Sequence, residues 1–219
     1  MKITDLRTLC LSRPHEPELV WFSSQFRVFK ADCPIVIVET DEGVHGIAEP
    51  STYGDPPKIR ERIDQMKSNL VGRDPLEPNL VTLATGDRQA DITNAGIELA
   101  LWDIRAKSEG KQVAELLVPE LTPNQPERQP KERLRLYASA GVQFDWDDHP
   151  ESVIDEAVAL AEQGFTAYKI RIGTHWGWSG VTIERFLELV RKVTDAVGDR
   201  MELKLEGNTR FTEDNALRV

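Results

Sequence analysis

Two short stretches of the sequence carry charged side chains at alternate positions. In 167–173, Lys169 and Arg171 alternate with isoleucines, so a β-strand here would place both cations on one face. The strand predicted next along the chain, 201–207, presents Glu206 on its polar face in the same way. Strands of one right-handed β-α-β unit usually lie side by side, so we expect these two polar faces to meet.

A carboxylate beside two cations allows two kinds of role, and the residues alone leave both open. In one interpretation, the charges form a buried salt-bridge layer that fills a barrel and consists of Lys169, Arg171, Lys204 and Glu206. In the other interpretation, the cations stabilise a bound anion and Glu206 holds a divalent metal. Mg²⁺ suits the second role because it prefers oxygen ligands and takes few carboxylates.

The composition restricts the class of protein. The balance of 40% hydrophobic and 29% charged residues is that of a globular chain, and no apolar run approaches the ~18–20 residues of a membrane span. A net charge of −10 argues against a nucleic-acid partner. The N-terminus lacks the apolar core of a signal peptide, and Cys10 and Cys33 form no metal or disulfide pattern. We therefore predict a cytoplasmic protein without a membrane or nucleic-acid partner.

The first part of the chain predicts strands followed by helices, which is typical of an α+β domain. The predicted strands are 2–13, 34–40 and 44–49, the last two forming a hairpin; the predicted helices are 57–70, 92–109 and 113–117. Residues 14–32 show no helical or strand period in their apolar residues and are predicted to be an aromatic loop. Residues 50–57 are predicted to be a second loop.

The pattern changes after 118–132, a stretch with four prolines that we predict to be a linker. We place the domain limits at 1–125 and 126–219. Beyond the linker, strands and helices alternate, in the order strand 134–140, helix 151–163, strand 166–172, helix 182–197, strand 201–207 and a helix from 212. This alternation is typical of a parallel α/β sheet or barrel.

The chain resembles the N-terminal part of the enolase superfamily, of the mandelate racemase and muconate lactonizing enzyme type. The similarity is collinear from residue 2 to the end and is carried by VIVETDEGVHGIAE (36–49), LVGRDP (70–75), AGIELALWDIRAKSEG (95–110), YKIRIG (168–173) and LEGNTRFT (205–212). The ALWDIRAK helix is the most specific of these motifs. The resemblance implies an α+β capping domain followed by a (β/α) barrel, of which this chain would hold only the first three β/α units.

The resemblance also implies a chemistry for the charged strands. Lys169 and Arg171 match the family's catalytic Lys-x-Lys motif, and Glu206 matches its first Mg²⁺ ligand. Such enzymes abstract the proton α to a carboxylate, and Mg²⁺ stabilises the resulting enediolate. The resemblance thus predicts an acid-sugar dehydratase or racemase, whose substrate is a small carboxylate such as a sugar acid. We also predict a homo-oligomer. Predicted substrate contacts are Asn208, His175, which follows the cationic strand, and Trp21 and Tyr53 on the two capping-domain loops.

Two positions depart from the family pattern. Arg171 stands where a lysine is usual, and a guanidinium is a poor base, while Glu206 stands where aspartate is usual. Either Lys169 acts as the base, if the charge of Arg171 favours its neutral form, or both cations bind the carboxylate and the base comes from elsewhere. The family's other metal ligands and its His–Asp base would lie beyond Val219, so residues 1–219 alone are predicted to be inactive. The rival hypothesis is a non-catalytic structural or interaction remnant of the family.

Overall fold

The protein is represented by a computed structural model that describes residues 1–22, 27–51, 55–142, 146–147, 149–171, 181–207 and 211–219. Contacts divide the chain into two compact units. The first consists of Met1–Arg13 and Ala31–Glu132, and the second of Pro14–Lys30 and Arg133–Val219.

Strands precede helices in the N-terminal part, and the two alternate in the C-terminal part. Among the described residues the strands are β1 (Ile3–Pro14), β2 (Trp21–Phe22), β3 (Arg27–Val28), β4 (Lys30–Thr40), β5 (His45–Ala48), β6 (Ala138–Ser139), β7 (Ala167–Arg171) and β8 (Glu202–Glu206). The α-helices are α1 (Pro56–Leu70), α2 (Arg88–Glu109), α3 (Val113–Leu121), α4 (Ser152–Glu162), α5 (Ile183–Val197) and α6 (Glu213–Arg218). Within these described ranges, no helix is both long and apolar enough to cross a membrane.

The first unit is a three-stranded sheet in the order β1-β4-β5 with helices packed on it. Apolar residues that recur at helical spacing on α1 and α2 meet the alternating apolar residues of the strands. The resulting core is formed by Ile3, Leu6, Val36, Val38, Ile59, Ile63, Leu70, Val81, Ile97, Ala100, Leu101 and Ile104. The predicted hairpin is confirmed, because β4 and β5 pair antiparallel with Val36 opposite Ala48.

The ALWDIRAK motif on α2 fastens that helix to β5. Asp103 accepts a hydrogen bond from the Ile47 backbone N–H at 2.9 Å, and Lys107 donates one to the His45 carbonyl at 2.8 Å. Lys107 also pairs with Asp103 at 2.7 Å. The two backbones approach so closely that a Cβ on Gly46 would lie 1.9 Å from the carbonyl oxygen of Ala100. The most specific motif of the sequence therefore has a structural role in this unit.

Gly46→Ala is expected to lower the free energy of unfolding by about 3 kcal/mol, because the added methyl group overpacks the contact with α2. The matched control is Gly43→Ala. Gly43 has a φ of +78°, and no atom lies within 4 Å of the position that a methyl group would take, so this variant should lose only about 1 kcal/mol from left-handed strain. Urea denaturation followed by circular dichroism measures both. Equal losses at the two glycines would contradict the close packing of α2 on β5.

The second unit contains a parallel sheet in the order β6-β7-β8. Tyr168 and Ile170 on β7 are completely buried and share a core cluster with residues of α4 and α5, including Ala157, Phe186, Leu189 and Val193. The alternating positions of β7, Lys169 and Arg171, therefore lie on the face opposite these helices. This sheet and its crossover helices agree with the predicted β-α-β alternation.

Several predicted bounds are wrong, and each error has a physical reason. The 14–32 segment is not simply a loop, because it holds a short 3-10 helix and the antiparallel pair β2-β3, with Trp21 opposite Val28. Strand β4 begins at Lys30, before the predicted start at Pro34. Proline has no backbone N–H to donate, but Pro34 lies outside the 36–39 stretch that pairs with β5, so no hydrogen bond to β5 is lost. Helix α2 begins at Arg88 because the Asp87 side chain caps it.

The predicted linker and the strand after it are also shorter than expected. Helix α3 continues to Leu121, with Pro119 inside it, so the irregular segment begins after the first of the four prolines. Strand β6 covers only Ala138–Ser139 of the predicted 134–140. The segment between α3 and β6 is largely exposed to solvent.

Trypsin is expected to cut first within 122–137, because the segment is exposed and has little regular structure. Arg128, Lys131 and Arg133 provide cleavage sites there. Mass spectrometry of the earliest fragments identifies the site and tests the predicted domain limits, 1–125 and 126–219. An earliest cut inside α2 would refute the two-domain assignment.

Candidate functional site

The two predicted cations and the predicted carboxylate meet on neighbouring parallel strands. In the register of β7 and β8, Lys169 lies opposite Lys204 and Arg171 lies opposite Glu206. The Arg171 Nε donates a hydrogen bond to Glu206 Oε2 at 2.8 Å, and the Lys169 Nζ lies 3.4 Å from the same oxygen. The prediction that the two polar faces meet is confirmed, and they meet on the side of the sheet opposite the helices.

The three side chains are partly buried and together carry one excess positive charge. Their exposed fractions are 20% for Lys169, 17% for Arg171 and 29% for Glu206. Burial raises the pKa of the Glu206 carboxyl, but the hydrogen bond and charge of Arg171 and the charge of Lys169 together lower that pKa below its usual range. The carboxylate is therefore ionised at neutral pH, and the cluster can attract an anion.

Lys204 belongs to a different group of charges on the same face of β8. Its Nζ lies 2.8 Å from Glu202 Oε1, and Glu202 also pairs with Arg135 at 3.0 Å. The Lys204 side chain is 41% exposed. The closed salt-bridge layer that would have joined Lys204 to Lys169, Arg171 and Glu206 is therefore wrong in its composition. The charges therefore form two separate groups, because Lys204 pairs along its own strand with Glu202, whereas Arg171 pairs across the strands with Glu206.

Trp21 is brought to the cationic cluster by the β2-β3 pair of the second unit. The Arg171 guanidinium carbon lies 6.0 Å from the centre of a Trp21 ring, which is within the range of a cation–π interaction. Trp21 is therefore in contact with a predicted catalytic residue, whereas its predicted contact with substrate stays a prediction. The other predicted substrate contacts, Tyr53, His175 and Asn208, lie outside the described residues.

Glu206 fits one position of a Mg²⁺ site, because it is an ionised oxygen ligand that solvent reaches. No group of three or more His, Cys, Asp or Glu side chains that could hold a metal ion occurs among the described residues. Further ligands for Mg²⁺ would have to come from other parts of the protein. The two cations beside Glu206 make this position unusual for a metal ligand, because like charges repel.

Glu156 on α4 supports the site from the helix side and was not predicted. Its carboxylate accepts a hydrogen bond from the Tyr168 hydroxyl at 2.6 Å and from the Gly141 backbone N–H at 2.7 Å. Burial, and then the charge of Glu156, raise the pKa of Tyr168 far above its usual value. Glu156 thereby joins β7 to the chain that leaves β6. The signal in the sequence is a glutamate next to buried Val153 and Ala157 on the apolar stripe of α4.

A cavity of about 660 Å³ lies in the first unit, between the 75–83 segment and α2. Its lining includes Trp102 and Arg105, and the guanidinium of Arg105 stacks on the Trp102 ring at 5.0 Å and pairs with Glu120 at 3.0 Å. None of the predicted site residues lines this cavity. Arg105 and Glu120, two of its charged groups, are already paired with each other, and we assign no chemistry to it.

Comparison with known families matches both parts of the chain. The family described as mandelate racemase / muconate lactonizing enzyme, N-terminal domain, matches residues 8–118. The family described as enolase C-terminal domain-like matches residues 152–219. The first match covers about half of the chain and includes the ALWDIRAK motif, while the second includes the strands that carry Lys169, Arg171 and Glu206.

Individual relatives are about a quarter to a third identical to this chain over the aligned residues. The D-galactarolactone cycloisomerase of Agrobacterium fabrum is 28% identical over 99% of this chain and 54% of its own length. The D-galactonate dehydratase of Ralstonia nicotianae is 31% identical over 80% of this chain and 44% of its own length. A crystal structure of an enolase-superfamily member from a Polaromonas species has a TM-score of 0.76 at 26% identity, covering 100% of this chain and 55% of that one. The chain spans about half the length of the curated relatives it matches.

Proposed function

Because the chain belongs to the enolase superfamily, in its mandelate racemase and muconate lactonizing enzyme branch, we propose that the protein is a Mg²⁺-dependent enzyme that abstracts the proton α to the carboxylate of a sugar acid. In this proposal, β6, β7 and β8 are the first three strands of the (β/α) barrel. The activity is that of a lyase, a sugar-acid dehydratase, or of an isomerase. A homo-oligomeric state and a cytoplasmic location stay predictions.

The convergence of Lys169, Arg171 and Glu206 is the observation that carries the proposal. All three lie on one face of β7 and β8, and Arg171 and Glu206 are the last residues of their strands. The carboxyl ends of barrel strands are where enzymes of this architecture carry out chemistry. Charged side chains are costly to bury, so two cations held together on a strand face favour an anionic ligand.

Each residue has a distinct role in the proposed reaction. Removing the α-proton turns the substrate carboxylate into a dianion, and Lys169 and Arg171 neutralise part of that charge. Arg171 stays protonated and cannot accept the proton, so the base is Lys169 or a group outside the described residues. Glu206 would be one ligand of Mg²⁺, which when bound supplies Lewis-acid charge to the substrate carboxylate.

The relatives support a sugar acid as the substrate class. Curated relatives include D-galactonate dehydratases and an arabinonate dehydratase, as well as the D-galactarolactone cycloisomerase. Lyase chemistry is compatible with Arg171, because a dehydratase needs one base on one face of the α-carbon, whereas a racemase needs a proton-transfer group on both faces. A dehydratase is therefore the preferred form of the proposal.

Proton exchange tests the proposal whichever product the enzyme forms. The complete enzyme, rather than residues 1–219 alone, is incubated in D₂O with Mg²⁺ and a panel of aldonates and aldarates, and NMR follows loss of the α-proton signal. We expect exchange or dehydration of at least one sugar acid, lost on removing the metal with EDTA. Lys204→Met is the matched control, because its partner is Glu202, and it should retain the activity. Absence of α-proton exchange across the panel would contradict the proposal.

The rival function is a non-catalytic remnant of the family, and one observation favours it. The 2.8 Å bond between Arg171 and Glu206 already satisfies charge on both partners, as a structural ion pair would. A remnant should bind neither Mg²⁺ nor sugar acids, and its Arg171 and Glu206 variants should differ from the wild type in stability alone.

A further inference from the structure

One carboxylate oxygen of Glu206 contacts both cations of the site, Lys169 and Arg171. Glu206 Oε2 lies 2.8 Å from the Arg171 Nε and 3.4 Å from the Lys169 Nζ. The shorter contact is a directed hydrogen bond from the guanidinium, which is stronger than a neutral one because both partners are charged. Arg171 is therefore the cation that is more tightly engaged with Glu206.

A divalent cation bound at Glu206 would compete with Arg171 for the same carboxylate. It would need electron pairs of the carboxylate, one oxygen of which, Oε2, the guanidinium now occupies, and its charge would repel that of Arg171. A guanidinium cannot lose its charge to relieve the repulsion. The side chain would have to move instead, and the Trp21 ring, which the guanidinium already contacts at 6.0 Å, is a favourable neighbour for a cation that leaves Glu206.

We propose that Arg171 competes with the divalent cation for Glu206, and that Arg171 is released from Glu206 to bind the substrate carboxylate once the metal is present. This inference rests on the proposed function and adds an order of events to it. Arg171 shields Glu206 in the metal-free protein, and metal binding converts an internal ion pair into an anion-binding side chain. Once the metal has separated Arg171 from Glu206, the anion no longer has to break that ion pair, so the metal and the anion should each bind more tightly in the presence of the other.

Metal affinity, measured without substrate, tests the competition. Isothermal titration of the complete enzyme with MgCl₂ is compared between the wild type and Arg171→Met. Removal of the competing cation should tighten Mg²⁺ binding by about tenfold or more. Lys169→Met should tighten it less, because the Lys169 Nζ is farther from Glu206. Lys204→Met, whose partner is Glu202, should bind as the wild type does.

The outcomes separate this inference from the proposed function. Mg²⁺ binding by Arg171→Met that is equal to or weaker than wild-type binding would overturn the competition and leave the proposed function standing. Absence of Mg²⁺ binding in the wild type and in Arg171→Met alike would overturn both. If Arg171→Met does not fold, Arg171→Lys decides, because it keeps the charge but loses the Nε bond. Arg171→Lys should bind Mg²⁺ about threefold more tightly than the wild type, and unchanged or weaker binding would overturn the inference.

Discussion

Replacing Arg171 with methionine is expected to lower kcat/KM for the sugar acid by about a hundredfold or more in the complete enzyme. Loss of one charge contact to the transition state costs roughly 3 kcal/mol, and Arg171 belongs to the partly buried pair that faces the substrate carboxylate in the proposed function. The same change should tighten Mg²⁺ binding, so catalysis and metal affinity should move in opposite directions. Steady-state kinetics at saturating Mg²⁺ separates the two effects.

Stability distinguishes this catalytic role from a structural one. If Arg171 served only a buried ion pair, its loss would leave Glu206 unpaired and cost ~3–5 kcal/mol of unfolding free energy. The Glu206 side chain is 29% exposed, so we expect solvent to limit the loss to about 1–2 kcal/mol. Lys204→Met again serves as the control for removing a lysine-length cation from this sheet face. A stability loss above about 3 kcal/mol with kcat/KM close to that of the wild type would assign Arg171 a structural role.

The face on which the site lies could be predicted from the sequence because strand alternation is strictly local. Lys169 and Arg171 must share a face if 167–171 is a strand, and a right-handed crossover brings Glu206 beside them. The ion-pair partner of each charged side chain could not be predicted in the same way. Lys204 obeys the same alternation as Glu206, yet it pairs with Glu202, because the choice depends on side-chain distances that the alternation does not specify.

Contacts between residues distant in sequence account for what was missed. Trp21 contacts Arg171, far along the chain, from the β2-β3 pair of the second unit, and two-residue strands have no periodic signal. Glu156 reaches Tyr168 through the packing of α4 on β7. The sequence signals a carboxylate on an apolar stripe, but not the hydroxyl it meets.

Replacing Glu206 with glutamine is expected to lower α-proton exchange in the complete enzyme by about a thousandfold or more, because a metal ligand contributes several kcal/mol of transition-state stabilisation. Glutamine keeps the size of the side chain and its oxygen acceptor but removes the charge that both Mg²⁺ and Arg171 require. Mg²⁺ titration should accordingly show no binding at this site. Exchange within about tenfold of the wild type would contradict the assignment of Glu206 as a metal ligand.

The same substitution has a defined effect on the pH dependence of stability in metal-free protein. Arg171 and Lys169 lower the pKa of Glu206 in the folded state below its ordinary value of 4.5, so the ion pair stabilises the fold above pH 4.5 and loses this contribution as the pH falls through the lowered pKa. Glu206→Gln lacks the contribution at every pH. Urea denaturation in EDTA should therefore find the wild type more stable than Glu206→Gln at neutral pH, by about 1–2 kcal/mol, with the difference shrinking steadily below pH 4.5. A difference that stays constant down to about pH 3 would mean that the Glu206 carboxylate is not paired with these cations in the folded protein.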